Sequence, residues 1–282
     1  LTILQSIVLG IVEGLTEYLP VSSTGHLLLT QRLMGISSST TTDAFAICIQ
    51  GGAILAVLGL YRKQVFEMAQ GAIGRNPQGF RLASAILAAF IPAAILGLLL
   101  EKTIKKYLFA GDEWGLWPVI AAWFVGGVAI LAAGAWNKRK QPSAASGGLP
   151  LSSITLPMAV IIGLAQCIAM WPGVSRSLVT IVGGLLVGLS IPAAVEFSFL
   201  LGVVTLSAAT ILDAYKHGTA MLEEFGPSVL ITGGLAAWIS AVIAVKWMVG
   251  YLQSHGLSIF GWYRIVLAIA VATMICFGFL PA

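Results

Sequence analysis

Apolar residues in this chain come in long runs, and polar residues gather between them. A helix that crosses a bilayer needs about 20 predominantly apolar residues. Six runs reach or nearly reach that length: Ala44–Leu60, Leu82–Leu100, Leu116–Trp136, Ala193–Leu212, Ser228–Val249 and Ile259–Leu280. Lys246 lies near the end of the fifth and Arg264 near the start of the sixth. Both are expected to snorkel towards the interface. Trp114, Trp117, Trp136 and Trp262 sit near run ends, where interfacial aromatics belong.

Two further apolar regions are interrupted. Leu1–Leu19 leads into Pro20-Val21-Ser22-Ser23-Thr24-Gly25 and a short apolar piece, His26–Leu33. Ile154–Met170 leads into Trp171-Pro172-Gly173-Val174-Ser175-Arg176-Ser177 and the short piece Leu178–Leu189. Irregular backbone at membrane depth must be buried in protein or line a cavity. The pattern predicts two re-entrant helix-loop-helix hairpins, at 1–33 and 154–189. They resemble each other. Gly10-x-x-Glu13 matches Gly163-x-x-Gln166 at an offset of 153, and the two Pro-to-Ser breaks align with one extra residue.

Each hairpin is followed by three spans. Three is odd, so the second half is expected to lie inverted, with the two breaks facing each other near the midplane. The predicted fold is an all-α polytopic membrane protein with an inverted-topology repeat, six transmembrane helices and two re-entrant hairpins. The first repeat occupies 1–136, a linker 137–153, and the second repeat 154–282.

Composition agrees. Hydrophobic residues make up 58% of the 282 residues and charged ones 9%, against roughly 25% charged in a soluble domain. That excludes a disordered chain, a coiled coil and an ordinary soluble enzyme, and nothing suggests a nucleic-acid partner. The three cysteines are scattered in apolar runs without metal-site or disulfide spacing. Arg62, Lys63, Arg75, Arg81, Lys138, Arg139, Lys140 and Lys246 outnumber Arg32, Lys102, Lys105, Lys106, Lys216 and Arg264 on the opposite side. The first set is expected to be cytoplasmic, which puts the first hairpin on the outer side. The Gly126-Gly127 and Gly233-Gly234 pairs leave packing open within one chain or between two in a homodimer.

Ionisable residues in membrane segments point to function. Glu13 and Glu17 are four apart, so both carboxylates share one helical face. Two like charges there need a shared proton or a cation, and Mg²⁺ or Ca²⁺ suits oxygen ligands. Ser22, Ser23 and Thr24 precede Gly25 and His26. One hydroxyl suffices for an N-cap, and three exceed it. Ser23 and His26 are three apart, the spacing of a nucleophile and its base. Arg176 lies between Ser175 and Ser177, after Gly173 and one turn before Thr180. A helix starting there would present free N–H groups and an arginine fork, a cradle for phosphate. Gln50, Gln166 and Glu196 are candidates to support the cavity. The polar stretch with Asp213, His217, Glu223 and Glu224 reads as a solvated loop.

The segments Glu13-Gly-Leu-Thr-Glu17-Tyr-Leu-Pro-Val-Ser-Ser-Thr-Gly-His26 and Trp171-Pro-Gly-Val-Ser-Arg-Ser-Leu-Val-Thr180 resemble the bacterial undecaprenyl pyrophosphate phosphatase family, also called bacitracin-resistance proteins. The resemblance runs nearly end to end, including Glu196-Phe-Ser-Phe-Leu-Leu201. It implies a divalent-cation-dependent hydrolase of the cytoplasmic membrane that converts a C55 polyprenyl diphosphate into the monophosphate for peptidoglycan assembly. The expected roles are metal binding by Glu13 and Glu17, phosphate binding by Arg176, Ser175, Ser177, Thr24, Ser22, Gly173 and Thr180, and catalysis by Ser23, His26 and Glu17. Attack by Ser23 and attack by metal-activated water both fit the residues. An inverted repeat with broken helices is also the build of a lipid transporter.

Overall fold

A computed structural model describes residues 1–37, 39–104, 115–140 and 147–280, with the backbone alone at 101–104 and 137–140. Trp114, Lys105, Lys106 and part of the linker lie outside the described residues, as do the side chains of Lys102 and 138–140. The described chain is all-α. Its helices are α1 (Ile3–Thr16), α2 (Ser23–Leu33), α3 (Thr40–Leu60), α4 (Arg62–Ala72), α5 (Pro77–Ile104), α6 (Trp117–Lys140), α7 (Leu156–Gln166), α8 (Arg176–Leu186), α9 (Ile191–Leu252) and α10 (Ser258–Cys276).

Five helices, α3, α5, α6, α9 and α10, are long and apolar enough to cross a membrane. The 62 residues of α9 would run about 93 Å if straight, some three times the hydrocarbon thickness. It is not straight. Gly226 has φ 75 and ψ 162, outside helical space, and Pro227 follows. Proline lacks an N–H and suits the first position of a new helix, so α9 is two arms, 191–225 and 227–252. The expected spans Ala193–Leu212 and Ser228–Val249 fall in these arms. The expected polar loop between them does not exist: Asp213, His217, Glu223 and Glu224 ride on the first arm, helical up to the break.

A second departure is α4. The basic stretch after α3 reads as a loop, yet Arg62–Ala72 is a helix. It packs on α5 where two glycines meet, since a Cβ on Gly71 would strike the backbone of Phe80 and one on Gly79 the backbone of Glu67.

Small residues likewise set how the arms pack. A Cβ on Gly10 of α1 would collide with the carbonyl of Gly233, and one on Gly52 of α3 with that of Gly234. Gly14 faces Ser240, Ala237 and Ala241 in the same way. Backbone contact of this kind is how apolar helices associate without a solvent-driven force. Gly126 and Gly127 of α6 meet Arg264, Gly261 and Ile265 of α10. Both glycine pairs thus serve packing within the chain.

The two broken helix pairs have matching boundaries. Thr2 caps α1 and Thr155 caps α7; α2 runs Ser23–Leu33 and α8 Arg176–Leu186. Every one of these equivalent positions is 153 residues from its mate. The extra residue expected in the second break is absent from the backbone register, so Pro20 and Pro172 are not structural equivalents. The pairs differ in one respect: after α7 the chain tightens into a 3₁₀ turn, Cys167–Met170.

Candidate active site

Ser22 and Ser175 are the only non-glycine residues with positive φ among the described residues, at 75° and 74°. Such backbone costs roughly 1–3 kcal/mol and persists where the surroundings demand it. Here the demand is a sharp entry into a helix. Each serine is the N-cap, and its hydroxyl accepts from the backbone N–H of Gly25 or Leu178. The free amide ends of α2 and α8 are thereby brought to one cavity of about 120 Å³. Ser22, Ser23, Thr24, Gly173, Ser175 and Arg176 all line it, with Glu17 and Gln50 beside them. The rest of the wall is largely apolar: Ala169, Met170, Trp171, Pro172 and Leu206.

A continuous polar line crosses this cavity. Ser23 donates its hydroxyl to Glu17 Oε2. The other oxygen, Oε1, accepts from Arg176 Nη2 at 3.0 Å. Arg176 Nη1 donates to the carbonyl of Ser198 at 2.9 Å, and the guanidinium lies 5.6 Å from the ring centroid of Tyr18. Arg176 Nε is buried with no partner among the described residues. A buried donor left unpaired is costly. Gly202 makes the seat for this arginine, since a Cβ there would lie on the guanidinium.

Several expected roles change. His26 does not meet Ser23. Its Nδ1 lies 2.6 Å from the carbonyl of Ser22, and its Nε2 lies 2.7 Å from the hydroxyl of Tyr263. A carbonyl only accepts, so Nδ1 carries the proton, and Tyr263 then occupies the lone pair at Nε2. The ring stacks on Tyr263 as well, with 6° between the planes. The carboxylate of Glu17 takes the position beside Ser23 that the spacing had assigned to His26.

Thr180 is fully buried and bonds to Ser198 Oγ at 2.7 Å and to the carbonyl of Arg176. It braces the arginine's seat and does not line the cavity. Ser177 also lies off the lining, donating to the carbonyl of Leu19 at 2.8 Å and so tying the second break to the first. Gln166 accepts from Thr205 at 3.3 Å. Glu196 accepts from Gln64 on α4 at 2.7 Å. Neither of these two lines the cavity, whereas Gln50 does.

Glu13 is wholly buried beside the carboxylate of Glu17, and neither of its oxygens meets an N–H or hydroxyl donor among the described residues. A carboxylate so placed calls for a proton or a cation. Among the described residues no cluster of three or more His, Cys, Asp or Glu encloses a metal by itself. Glu13 and Glu17 are the two carboxylates available to a hard divalent ion, which takes one or two carboxylates; of the two, Glu17 lines the cavity and Glu13 lies behind it.

Sequence reasoning missed Gly202, Ser198, Tyr263 and Arg264. Arg264 is not at an interface: it is fully buried. A membrane-embedded arginine with no nearby acid in sequence was the available signal, and the proximity of a run end masked it.

The chain matches the family described as Bacitracin resistance protein BacA over residues 6–270. A protein named undecaprenyl-diphosphatase from Sorangium cellulosum is 43% identical over 268 residues, which is 95% of this chain and 84% of that protein. Undecaprenyl-diphosphatase 2 of Rhodospirillum rubrum is 40% identical over 95% of this chain and 93% of its own. Undecaprenyl-diphosphatase of Nitrosomonas eutropha is 42% identical over 99% of this chain and 96% of its own.

Proposed function

Because the chain belongs to the Bacitracin resistance protein BacA family, we propose that it is an integral membrane phosphatase hydrolysing undecaprenyl diphosphate to the monophosphate and inorganic phosphate. The observation that carries this reading is the Ser23–Glu17–Arg176 line in a cavity where two helix N-termini meet.

A cavity of about 120 Å³ has room for only a handful of water-sized groups. It suits a diphosphate and excludes a C55 chain, which stays in lipid against the apolar wall. The terminal phosphate displaces Glu17 from Arg176 Nη2. The N–H groups opening α2 and α8 add two positive helix ends to the same oxygens. Ser23 Oγ attacks the terminal phosphorus in line. Its proton passes to Glu17, the bridging P–O bond breaks, and undecaprenyl monophosphate departs with the electron pair. Glu17 gives that proton to the departing monophosphate; water then attacks the phosphoserine phosphorus, Glu17 accepts that water's proton, and the proton returns to Ser23 Oγ as inorganic phosphate leaves. Glu13 would contribute a carboxylate to a divalent cation, which would supply neutralisation of charge on the transferring phosphoryl group.

Three spans after each hairpin support a six-span inverted repeat: α3, α5 and α6 in the first half, the two arms of α9 and α10 in the second. The excess of basic residues around one set of span ends supports an outward-opening cavity in a bacterial cytoplasmic membrane.

The test is phosphate release from C55 polyprenyl diphosphate by detergent-purified protein, with and without chelator, alongside Glu17→Gln and Arg176→Ala. Chelator-sensitive release lost in both variants is expected. No release by folded, monodisperse wild type would overturn the reading.

A further inference from the structure

Arg264 sits outside the polar line, and hydrolysis as described does not use it. It is fully buried in α10, and its donors all go to main-chain carbonyls. Nη1 reaches Pro20 at 3.2 Å, in the first break. Nη2 reaches Gly173 at 3.0 Å, in the second break, and Ala122 of α6 at 2.7 Å. Nε reaches Trp123 of α6 at 3.3 Å. No partner among these is a carboxylate.

A buried cation without a counter-ion is expensive, so its retention asks for a reason. Packing does not supply one. The neighbouring helix is thinned to admit the side chain: a Cβ on Gly126 would run into its guanidinium, and one on Gly127 would lie 3.3 Å from its own Cβ. A leucine or methionine with ordinary residues at 126 and 127 would fill the space without burying a charge.

What the guanidinium alone provides is geometry. Pro20 lies two residues before the N-cap of α2, and Gly173 two residues before the N-cap of α8. Ser23 follows the first cap and Arg176 the second. One rigid, planar group thus fixes the approach to both serine caps and references them to α6. We infer that Arg264 is a positioning residue for this reaction: it holds the two breaks in register, so that Ser23 and Arg176 converge on one phosphate. The inference rests on the hydrolase reading of the cavity. Lysine keeps the charge but concentrates its donors on one nitrogen, which cannot span both breaks.

The experiment compares Arg264→Lys and Arg264→Gln with wild type by steady-state phosphate release, by thermal unfolding in detergent and by amide hydrogen exchange. Misplacing reacting groups by about 1 Å costs about 100-fold in rate. The expected result is a kcat lower by about 100-fold in both variants, with KM within threefold. Exchange should rise at least tenfold in peptides covering 18–25 and 171–178 together, while α3 keeps its protection. Near-wild-type kcat in Arg264→Lys would overturn the inference and leave charge as the role. So would a loss confined to KM, or exchange that rises everywhere.

Gly126→Ala crowds the guanidinium without removing it and is the second route to the same displacement. It should reproduce the kcat loss, and its combination with Arg264→Lys should be less than additive, because the slimmer side chain makes room for the methyl. Wild-type kcat in folded Gly126→Ala would count against the inference even if the Arg264 variants do not fold. Exchange is read without turnover, so a wild type that releases no phosphate would defeat the hydrolase reading while the tie between the breaks is still tested.

Discussion

Gly202→Ala is a small change with a large expected effect. Gly202 lies on the first arm of α9, where α8 delivers Arg176. The added Cβ would sit 2.6 Å from Cζ and 2.7 Å from Nη2 of that arginine. Real Cβ atoms do not approach so closely, so the guanidinium must retreat. It cannot retreat freely, because Nη1 is held by Ser198 at 2.9 Å and Nη2 by Glu17 at 3.0 Å. Overpacking of this kind costs about 1–3 kcal/mol, whereas alanine for glycine inside a helix returns about 1 kcal/mol. Stability should therefore fall by only about 0–2 kcal/mol. Turnover should fall much further, since a phosphate-holding fork displaced by about 1 Å costs about 100-fold. The assay is kcat for phosphate release, with thermal unfolding of the same preparation. Gly218→Ala, on the same arm but with open space around it, is the control and should keep wild-type turnover. Wild-type kcat in Gly202→Ala would refute the seat assigned to Arg176. A loss of kcat matched by gross unfolding would also count against it.

Other positions give separate tests. Ser23→Ala should lower turnover by about 10³-fold or more, as loss of a nucleophile does, and acid-quenched wild type should carry phosphate on Ser23; substantial turnover without that hydroxyl would return the attack to water. Glu13→Gln removes a buried acid that meets no N–H or hydroxyl donor among the described residues, so thermal stability should hold or rise while the response of activity to divalent cation is lost; unchanged cation dependence would move the ion elsewhere. Gly10→Ala should destabilise by about 1–3 kcal/mol, because its Cβ meets the backbone of Gly233 and lies 2.9 Å from Ala236 Cβ, whereas Gly51→Ala faces open space and should be tolerated; equal melting temperatures for the two would contradict the close contact of α1 with α9.

Much of the architecture was legible because lipid leaves a strong mark on sequence. Apolar runs give the spans, and serines and prolines interrupting such runs give the breaks. What stayed hidden was decided by local backbone signals or by distant contacts. The helix α4 was obscured because basic residues read as loop. The continuation of α9 to 225 was obscured because charges near a span end read as solvated turn, although Gly226-Pro227 marks the actual break. Glu17, Ser23 and Arg176 were legible as chemistry, but not as a line. The spacing of Ser23 and His26 suggested a pair that the left-handed turn at Ser22 prevents, since that turn gives the ring the carbonyl of Ser22 and leaves its far side to Tyr263, 237 residues away. No local pattern announces a partner at that distance.

The matching of the two breaks carries the chemistry one step further. Their backbones agree from cap to helix end at a constant offset of 153, down to the positive φ of Ser22 and Ser175. Equal backbones bring two equal helix N-termini to one cavity, and two such ends favour an anion whatever side chains they carry. Hydrolysis needs more, because a site that only holds phosphate binds ground state and transition state alike and gains no rate. The first helical position differs between the copies: it is Ser23 in α2 and Arg176 in α8. One copy offers a hydroxyl to attack with, and the other a fork to draw charge as it develops. Glu17 bridges them, and its own equivalent by the same offset is Met170, which has no charge and lines the apolar wall. The asymmetry that the proposed hydrolysis needs thus lies in three side chains, set on two helix caps whose backbones match.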